Sequence, residues 1–288
     1  MVKNMNDQAQ RLRDMTREGV SGYFLRRLRK RQPPKIISVV SGRGGVGKTF
    51  LALNLSCIWA LRGKRTILVD ADFSMGHIDY LLGINPNHTI QHLIEGKAEF
   101  EACLAEGPWG LKVIPGMAGD TSRFVSSRKI TELVPDIALH DDWADLIVCD
   151  TTTGAGQPTL DIISSSNEIV LVTTPETASV MDLYGMIKVI SGNDSAQRPR
   201  MRLIINRIRE REEGRRIAAS LRGVTGRFLG KGLDCTGFLP SDNDVEEASI
   251  RHVPFVRHSP KSPVSRLIEE IAFRLIDEWS DPLSKSED

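Results

Sequence analysis

The stretch Ser41-Gly42-Arg43-Gly44-Gly45-Val46-Gly47-Lys48-Thr49 constrains this chain more than any other. It follows an apolar run, Ile36-Ile37-Ser38-Val39-Val40, and opens a helix-period pattern near Lys48. Strand, glycine loop, helix is the context a phosphate-binding loop requires, and Gly42, Gly47, Lys48 and Thr49 satisfy Gly-x4-Gly-Lys-Thr. Without side chains in the way, successive backbone N–H groups can turn toward phosphate oxygens, and the helix that follows adds its positive end. Lys48 is expected to reach the β- and γ-phosphates and Thr49 to ligate Mg2+. Gly42, Gly44, Gly45, Val46, Gly47, Lys48, Thr49 and Phe50 are the candidate nucleotide contacts of this loop.

The rest of the chain agrees with such a domain. Its 288 residues, 40% hydrophobic and 26% charged, suffice for one large α/β domain and are short for two. Apolar runs predict strands over 36–41, 66–70, 111–114, 145–150, 168–173, 202–206 and 235–238. Helical patterns fall between them, near 47–62, 89–105, 126–139, 157–165, 176–191 and 210–222. Strands such as Thr66–Asp70 and Leu146–Asp150 are apolar almost throughout, as expected when helices cover both faces. The alternation predicts an α/β fold with a doubly wound, mostly parallel sheet and ligands at the strand C-terminal ends.

Two of those strand ends carry carboxylates. Asp70 closes one strand and Asp72 follows it; Asp150 closes another and leads into Thr151-Thr152-Thr153-Gly154. Beside a phosphate loop such carboxylates can hold Mg2+ directly or through water, which makes Thr49, Asp72 and Asp150 the candidate metal set. Asp72 can instead orient an attacking water. Turn or cap duty is the ordinary alternative for each aspartate. Asn206 ends a further strand, where an amide can pair with an adenine edge or serve a turn.

Charge and cysteine usage bound the rest. Residues 1–35 hold ten Lys/Arg and three acids, a net +7, so the remainder is −6. This asymmetry predicts a basic arm with its own partner, ending at Gln32-Pro33-Pro34, where two prolines interrupt any helix. The expected division is an arm over 1–33, a nucleotide-binding domain over 34–280 and a polar tail over 281–288. Cys57, Cys103, Cys149 and Cys235 match no metal spacing, and neither a signal-peptide apolar region nor a membrane-length apolar run is present. A reduced, cytoplasmic protein is expected.

At this point the residues resemble a known family. Gly-Arg-Gly-Gly-Val-Gly-Lys-Thr over 42–49 is similar to the deviant phosphate loop of MinD/ParA-type ATPases. Asp70-Ala71-Asp72 with Gly76 and Asp79 looks like their switch I, and Asp150–Gly154 like their switch II. Thr174-Pro175-Glu176 through Asp182, Asn206 and Leu239-Pro240-Ser241-Asp242 resemble the family's Pro-Glu helix, adenine-contacting Asn and base-closing loop. The resemblance covers residues 34–275. It implies an ATP- and Mg2+-dependent homodimer, with Asn206 and Pro240 near the base, Lys48 and Asp72 catalytic, and slow hydrolysis. It also implies that the first loop position reaches across to the partner's phosphates. The family has lysine there; this chain has Arg43, which keeps the charge but is planar and longer. Arg43 is therefore a candidate catalytic residue and a reason to expect altered hydrolysis, down to a scaffold that binds ATP and barely turns it over.

A second motif narrows the family. Asp7-Gln8-Ala9-Gln10-Arg11-Leu12-Arg13 resembles the N-terminal activator segment of the flagellar MinD-like proteins called FlhG, YlxH or FleN. In that family the segment stimulates FlhF, a GTPase related to the signal-recognition particle. The resemblance implies partner contacts from Asp7, Gln8, Leu12 and Arg13 and a role in flagellar number or placement. A positioning ATPase for another cargo is the alternative. Tyr23–Arg31 mixes bulky apolar residues with five cations, which suits peripheral membrane contact, an extension of the partner helix or a nucleic-acid arm. The basic run from Arg207 to Arg222 is interleaved with Glu210, Glu212 and Glu213, so DNA is not the expected partner. The last helical pattern, with Val264, Leu267, Ile268, Ile271, Leu275 and Trp279 on one face, carries a net acidic polar side and is expected to pack on the body.

Overall fold

The structure is a computed structural model that describes residues 33–74, 76–117, 127–139, 144–192, 199–229 and 232–277. The expectations for Asp7, Gln8, Leu12 and Arg13, for the 23–31 stretch, for Trp279 and for the 281–288 tail lie outside these residues.

Eight strands form one sheet: β1 Lys35–Val40, β2 Thr66–Ala71, β3 Ala105–Glu106, β4 Lys112–Ile114, β5 Leu146–Thr151, β6 Glu168–Thr173, β7 Arg200–Ile208 and β8 Asp234–Pro240. Their order is β3-β4-β2-β5-β1-β6-β7-β8. All neighbours run parallel except the short β3, which is antiparallel to β4. The first strand thus lies inside the sheet, with β5 and β6 beside it. The loop that follows it opens at the point where strand order reverses, the place where doubly wound sheets bind ligands.

The helices are α1 Lys48–Leu61, α2 Ile78–Leu82, α3 Ile90–Glu95, α4 Ser127–Leu139, α5 Gln157–Ser164, α6 Thr177–Gly192, α7 Arg211–Leu229, α8 Asp244–Ile250, α9 Phe255–His258 and α10 Pro263–Asp277. Strand residues alternate between the two sides of the sheet. Ile37, Val39, Leu68, Val148, Val170 and Ile204 join Leu51, Leu55 and Trp59 of α1 with Ile268 and Leu275 of α10. On the other side Ile67, Val69 and Ile147 meet Ile130, Val134 and Ile137 of α4. Ile169, Leu171, Leu203 and Ile205 meet Leu183 and Ile187 of α6 and Leu221 of α7. Each fully buried Leu or Ile contributes about 2 kcal/mol, so the sheet is held from both faces. α1 is buried almost all round because α10 lies outside it, and Trp59 Nε1 donates to the Ala272 carbonyl at 3.1 Å. The C-terminal helix therefore packs on the body, as its acidic polar side suggests.

Several boundaries differ from the sequence pattern. The helix expected over 89–105 stops at Glu95, because Gly96 takes a left-handed conformation (φ 69°) and caps it. A turn of 3-10 helix at Glu101–Cys103 and strand β3 follow instead. α7 continues to Leu229, seven residues past its expected end at 222. α2, α8 and α9 are four to seven residues long, too short to show a period.

Candidate functional site

Register brings the two strand-end aspartates together. Asp70 on β2 is paired directly with Asp150 on β5, and both are buried. Lys48, on the first turn of α1, extends into this corner. Its ammonium donates to Asp150 Oδ1 at 2.7 Å and lies 3.8 Å from Asp72 Oδ2. Lys48 is 6% exposed and Asp150 1%. Two carboxylates thus flank one cation, and Asp70 stands beside Asp150 in the sheet. Burial pushes the Asp150 carboxyl up, while Lys48 and the Thr49 hydroxyl pull it back. Burial first, and the Asp150 charge second, push Asp70 up to about 7.

Each aspartate has a different surrounding. Asp70 is a brace: Oδ2 accepts from the Ile78 N–H at 3.1 Å and Oδ1 from the Asp72 N–H at 3.3 Å. Gly76 and Gly116 close in on the same carboxylate, which ties the 72–78 loop to the sheet. Asp72 is freer. Its Oδ1 accepts from the Ser74 N–H at 3.0 Å, and Oδ2 faces Lys48. Asp150 uses Oδ1 on Lys48, and its buried Oδ2 has no hydrogen-bond partner among the described residues.

The loop itself is anchored at its ends and open in the middle. Ser41 Oγ donates to the Arg43 carbonyl, and the Gly154 N–H donates to the Ser41 carbonyl at 2.9 Å. Gly42 lies flat against the backbone of Asp182 and Leu183, where a side chain would collide. Gly47 is left-handed (φ 95°), and Asn206 fills the space a side chain would need. Asn206 Nδ2 donates to the Val46 carbonyl at 2.8 Å. Beyond Gly44 and Gly45, by contrast, no atom lies within 4 Å of a side-chain position. Gly47 is the N-cap of α1 and supplies no side-chain cap, so the helix's first N–H groups remain on offer. Phe50 packs its ring on Phe255 at 5.6 Å, so what it can give a ligand is its backbone N–H. Pro240 ends β8, next to β7, which carries Asn206.

This donor set fits a nucleotide phosphate with Mg2+. An open cradle and an uncapped helix end suit phosphate oxygens. The partnerless Asp150 Oδ2, with Thr49 beside it, suits a hard cation that takes one or two carboxylates and completes its shell with phosphate and water.

Arg43 is elsewhere. Its guanidinium pairs with Asp182 on α6 at 3.2 Å, with the two side chains 50% and 43% exposed. It does not join Lys48 in the corner. The sequence gives no sign of this pair, because the two residues meet only through the close approach at Gly42. Thr152 is a second residue that pattern reading passes over. Its hydroxyl accepts from the Phe73 N–H at 3.0 Å and so links the 150–154 loop to the 72–78 loop. The four cysteines are free, three of them buried, and burial pushes the Cys57 and Cys149 thiols up to about 12.

Fold and site together define a P-loop nucleotide-binding protein. Residues 37–255 match the CobQ/CobB/MinD/ParA nucleotide binding domain. The antiactivator FleN of Pseudomonas aeruginosa is 32% identical over 251 residues, covering 87% of this chain and 89% of its own length. The flagellum site-determining protein YlxH of Helicobacter pylori is 30% identical over 213 residues, covering 73% of this chain and 70% of its own. The septum site-determining protein MinD of Pyrococcus horikoshii, solved with Mg-ADP, has the same fold at TM-score 0.72 and 23% identity, over 88% of this chain and 99% of that one. The chain belongs to the MinD/ParA family of nucleotide-binding proteins and is a relative of its flagellar members FleN and YlxH.

Proposed function

We propose that this protein is an ATP-dependent, dimerising switch that regulates flagellar number or placement. The observation that carries the reading is the buried Lys48 ammonium, held 2.7 Å from Asp150 and 3.8 Å from Asp72 at the mouth of an open glycine loop. That a fold neighbour was solved with Mg-ADP, and that the flagellar relatives align over most of the chain, support ATP and Mg2+ as its ligands. MgATP supplies the scissile phosphoanhydride and a cation that spreads the developing charge. Around it, the N–H groups from Gly44 to Phe50 bind phosphate oxygens, and Lys48 exchanges its carboxylates for the β- and γ-phosphates. Thr49 and Asp150 hold the metal side. Asp72, hinged on the brace at Asp70, orients water and accepts its proton. Asn206 and Pro240 bound the base. Measuring MgATP turnover and nucleotide-dependent mass of the full chain tests this; a chain that neither binds nor hydrolyses MgATP overturns it.

The regulatory half of the reading rests on residues 1–33. We take them as an arm separate in function from the ATPase body over 34–280 and the tail over 281–288. Asp7, Gln8, Leu12 and Arg13 engage an FlhF-type GTPase, and the protein acts in the cytoplasm. Support comes from the motif and from the flagellar relatives. A peptide of residues 1–20 is expected to raise GTP turnover by FlhF, and Gln8→Ala to abolish the effect; no stimulation by the peptide overturns the assignment. The Arg43–Asp182 pair favours one variant of this reading. While Arg43 is held there it is withheld from a partner's phosphates, a competition worth under about 1 kcal/mol that slows hydrolysis by at most a few-fold.

A further inference from the structure

The outer edge of the sheet carries a second concave site, which shares only Pro240 with the residues assigned above to the nucleotide. A cavity of about 280 Å3 opens over strand β8, between α10 and the residues that lead into α7. Its lining includes Pro240 but no residue from Gly42 to Phe50, and neither Asp72, Asp150 nor Asn206. Its floor is apolar: Ile208, Phe238, Leu267 and Ile271. Three guanidiniums, Arg209, Arg211 and Arg274, and one carboxylate, Glu270, stand around it. Arg274 is already engaged, donating to the Thr236 carbonyl at 2.9 Å and lying 3.4 Å from Glu270. Arg209 and Arg211 have no ion pair among the described residues. The site therefore holds a net positive charge beside an apolar floor.

Thr236 gives the site its direction. Leu203 pairs with Cys235 and Ile204 with Gly237, so Thr236 is an extra residue with no partner on β7. Such a bulge re-aims a side chain and interrupts the edge. Thr236 is only 5% exposed, lines the cavity, and its hydroxyl has no hydrogen-bond partner among the described residues. A buried hydroxyl left unpaired costs about 1–3 kcal/mol, so a ligand that bonds it recovers that energy. The bulge also bends the edge strand, which argues against an added β-strand as the occupant.

We propose that this cavity binds a small organic anion: a flat or branched apolar body on Phe238 and Ile271, a polar atom on the Thr236 hydroxyl, and a carboxylate or phosphate between Arg209 and Arg211. The volume suits one such molecule, and the few convergent polar groups over an apolar floor are the usual make-up of a small-ligand site. Phosphate and carboxylate are both matched by paired guanidiniums.

The test is amide NMR on the full chain with phenyl phosphate as probe, MgADP being present to occupy the glycine loop and then left out. Expected are saturable shifts at Thr236, Gly237 and Phe238 below about 10 mM, the same in both conditions, with inorganic phosphate at least about ten-fold weaker. Thr236→Val, which keeps the shape, weakens binding about five-fold or more, and Arg209→Gln with Arg211→Gln weakens it further. Shifts that are absent at that concentration overturn the proposal, as do shifts unmoved by Thr236→Val. Equal binding of inorganic phosphate also overturns it, leaving an ordinary basic patch. Benzoate in place of phenyl phosphate separates the two anion sources, since preference for one names the head group.

Discussion

Replacing Lys48 by methionine isolates the electrostatics of the nucleotide corner. The substitution keeps the length of the side chain and removes its charge. Asp150 is then buried at 1% exposure with no cation within reach, and its cheapest response is to take up a proton. That response sets a ceiling on the damage. Holding neutral a carboxyl whose ordinary value is 3.8 costs about 4 kcal/mol at pH 7 and about 2 kcal/mol at pH 5. The sign follows from proton uptake. The variant's folded state binds a proton that its unfolded state does not, so its stability falls, relative to wild type, as pH rises. Urea unfolding of both proteins in EDTA without nucleotide, at pH 5 and pH 7, should show Lys48→Met losing about 2.7 kcal/mol more at the higher pH. Adding Asp150→Asn should restore most of the loss, because no buried charge then lacks a partner. A penalty that ignores pH, or that Asp150→Asn fails to relieve, would refute the description of this corner.

Other outcomes follow from the same geometry. Asp70→Asn removes a carboxyl pushed up to about 7. Wild type should therefore lose about 2–3 kcal/mol relative to this variant between pH 5 and pH 8, read by the same unfolding series. Gly47→Ala meets both a left-handed backbone and the Asn206 side chain, so unfolding should show a loss of about 1–3 kcal/mol, with MgADP affinity lowered as well. A double-mutant cycle on Arg43 and Asp182 should give a coupling under about 1 kcal/mol, since both side chains are near half exposed; a large coupling would mean that the pair is a structural tie rather than a releasable contact.

Much of this fold is legible in the chain because its signals are local. The glycine loop, the apolar strands and the strand-end aspartates are read from neighbouring residues, and β2 and β5 place Asp70 and Asp150 side by side once the sheet is parallel. The division of labour between those aspartates is not legible. Asp70 reads from sequence as one more strand-end carboxylate, yet closure of Gly76 and Gly116 around it makes it a brace for the loop that carries Asp72. The contact of Arg43 with Asp182 is not legible either, because it spans 139 positions and depends on the tight packing of Gly42. Short elements such as α2 and α8 escape because four to seven residues cannot display a helical period. Thr236 escapes for another reason, since a bulge arises from a mismatch between two strands and leaves no mark on either one alone.

The central claim is that the corner formed by Lys48, Asp72 and Asp150 hydrolyses ATP, with Asp72 as the group that handles water. Single-turnover hydrolysis by wild type and Asp72→Ala, with MgATP binding measured in parallel, tests it most directly. Binding should stay within about three-fold of wild type while hydrolysis slows by at least about a hundred-fold, the contribution expected of a positioned general base. Hydrolysis by Asp72→Ala at the wild-type rate would contradict it.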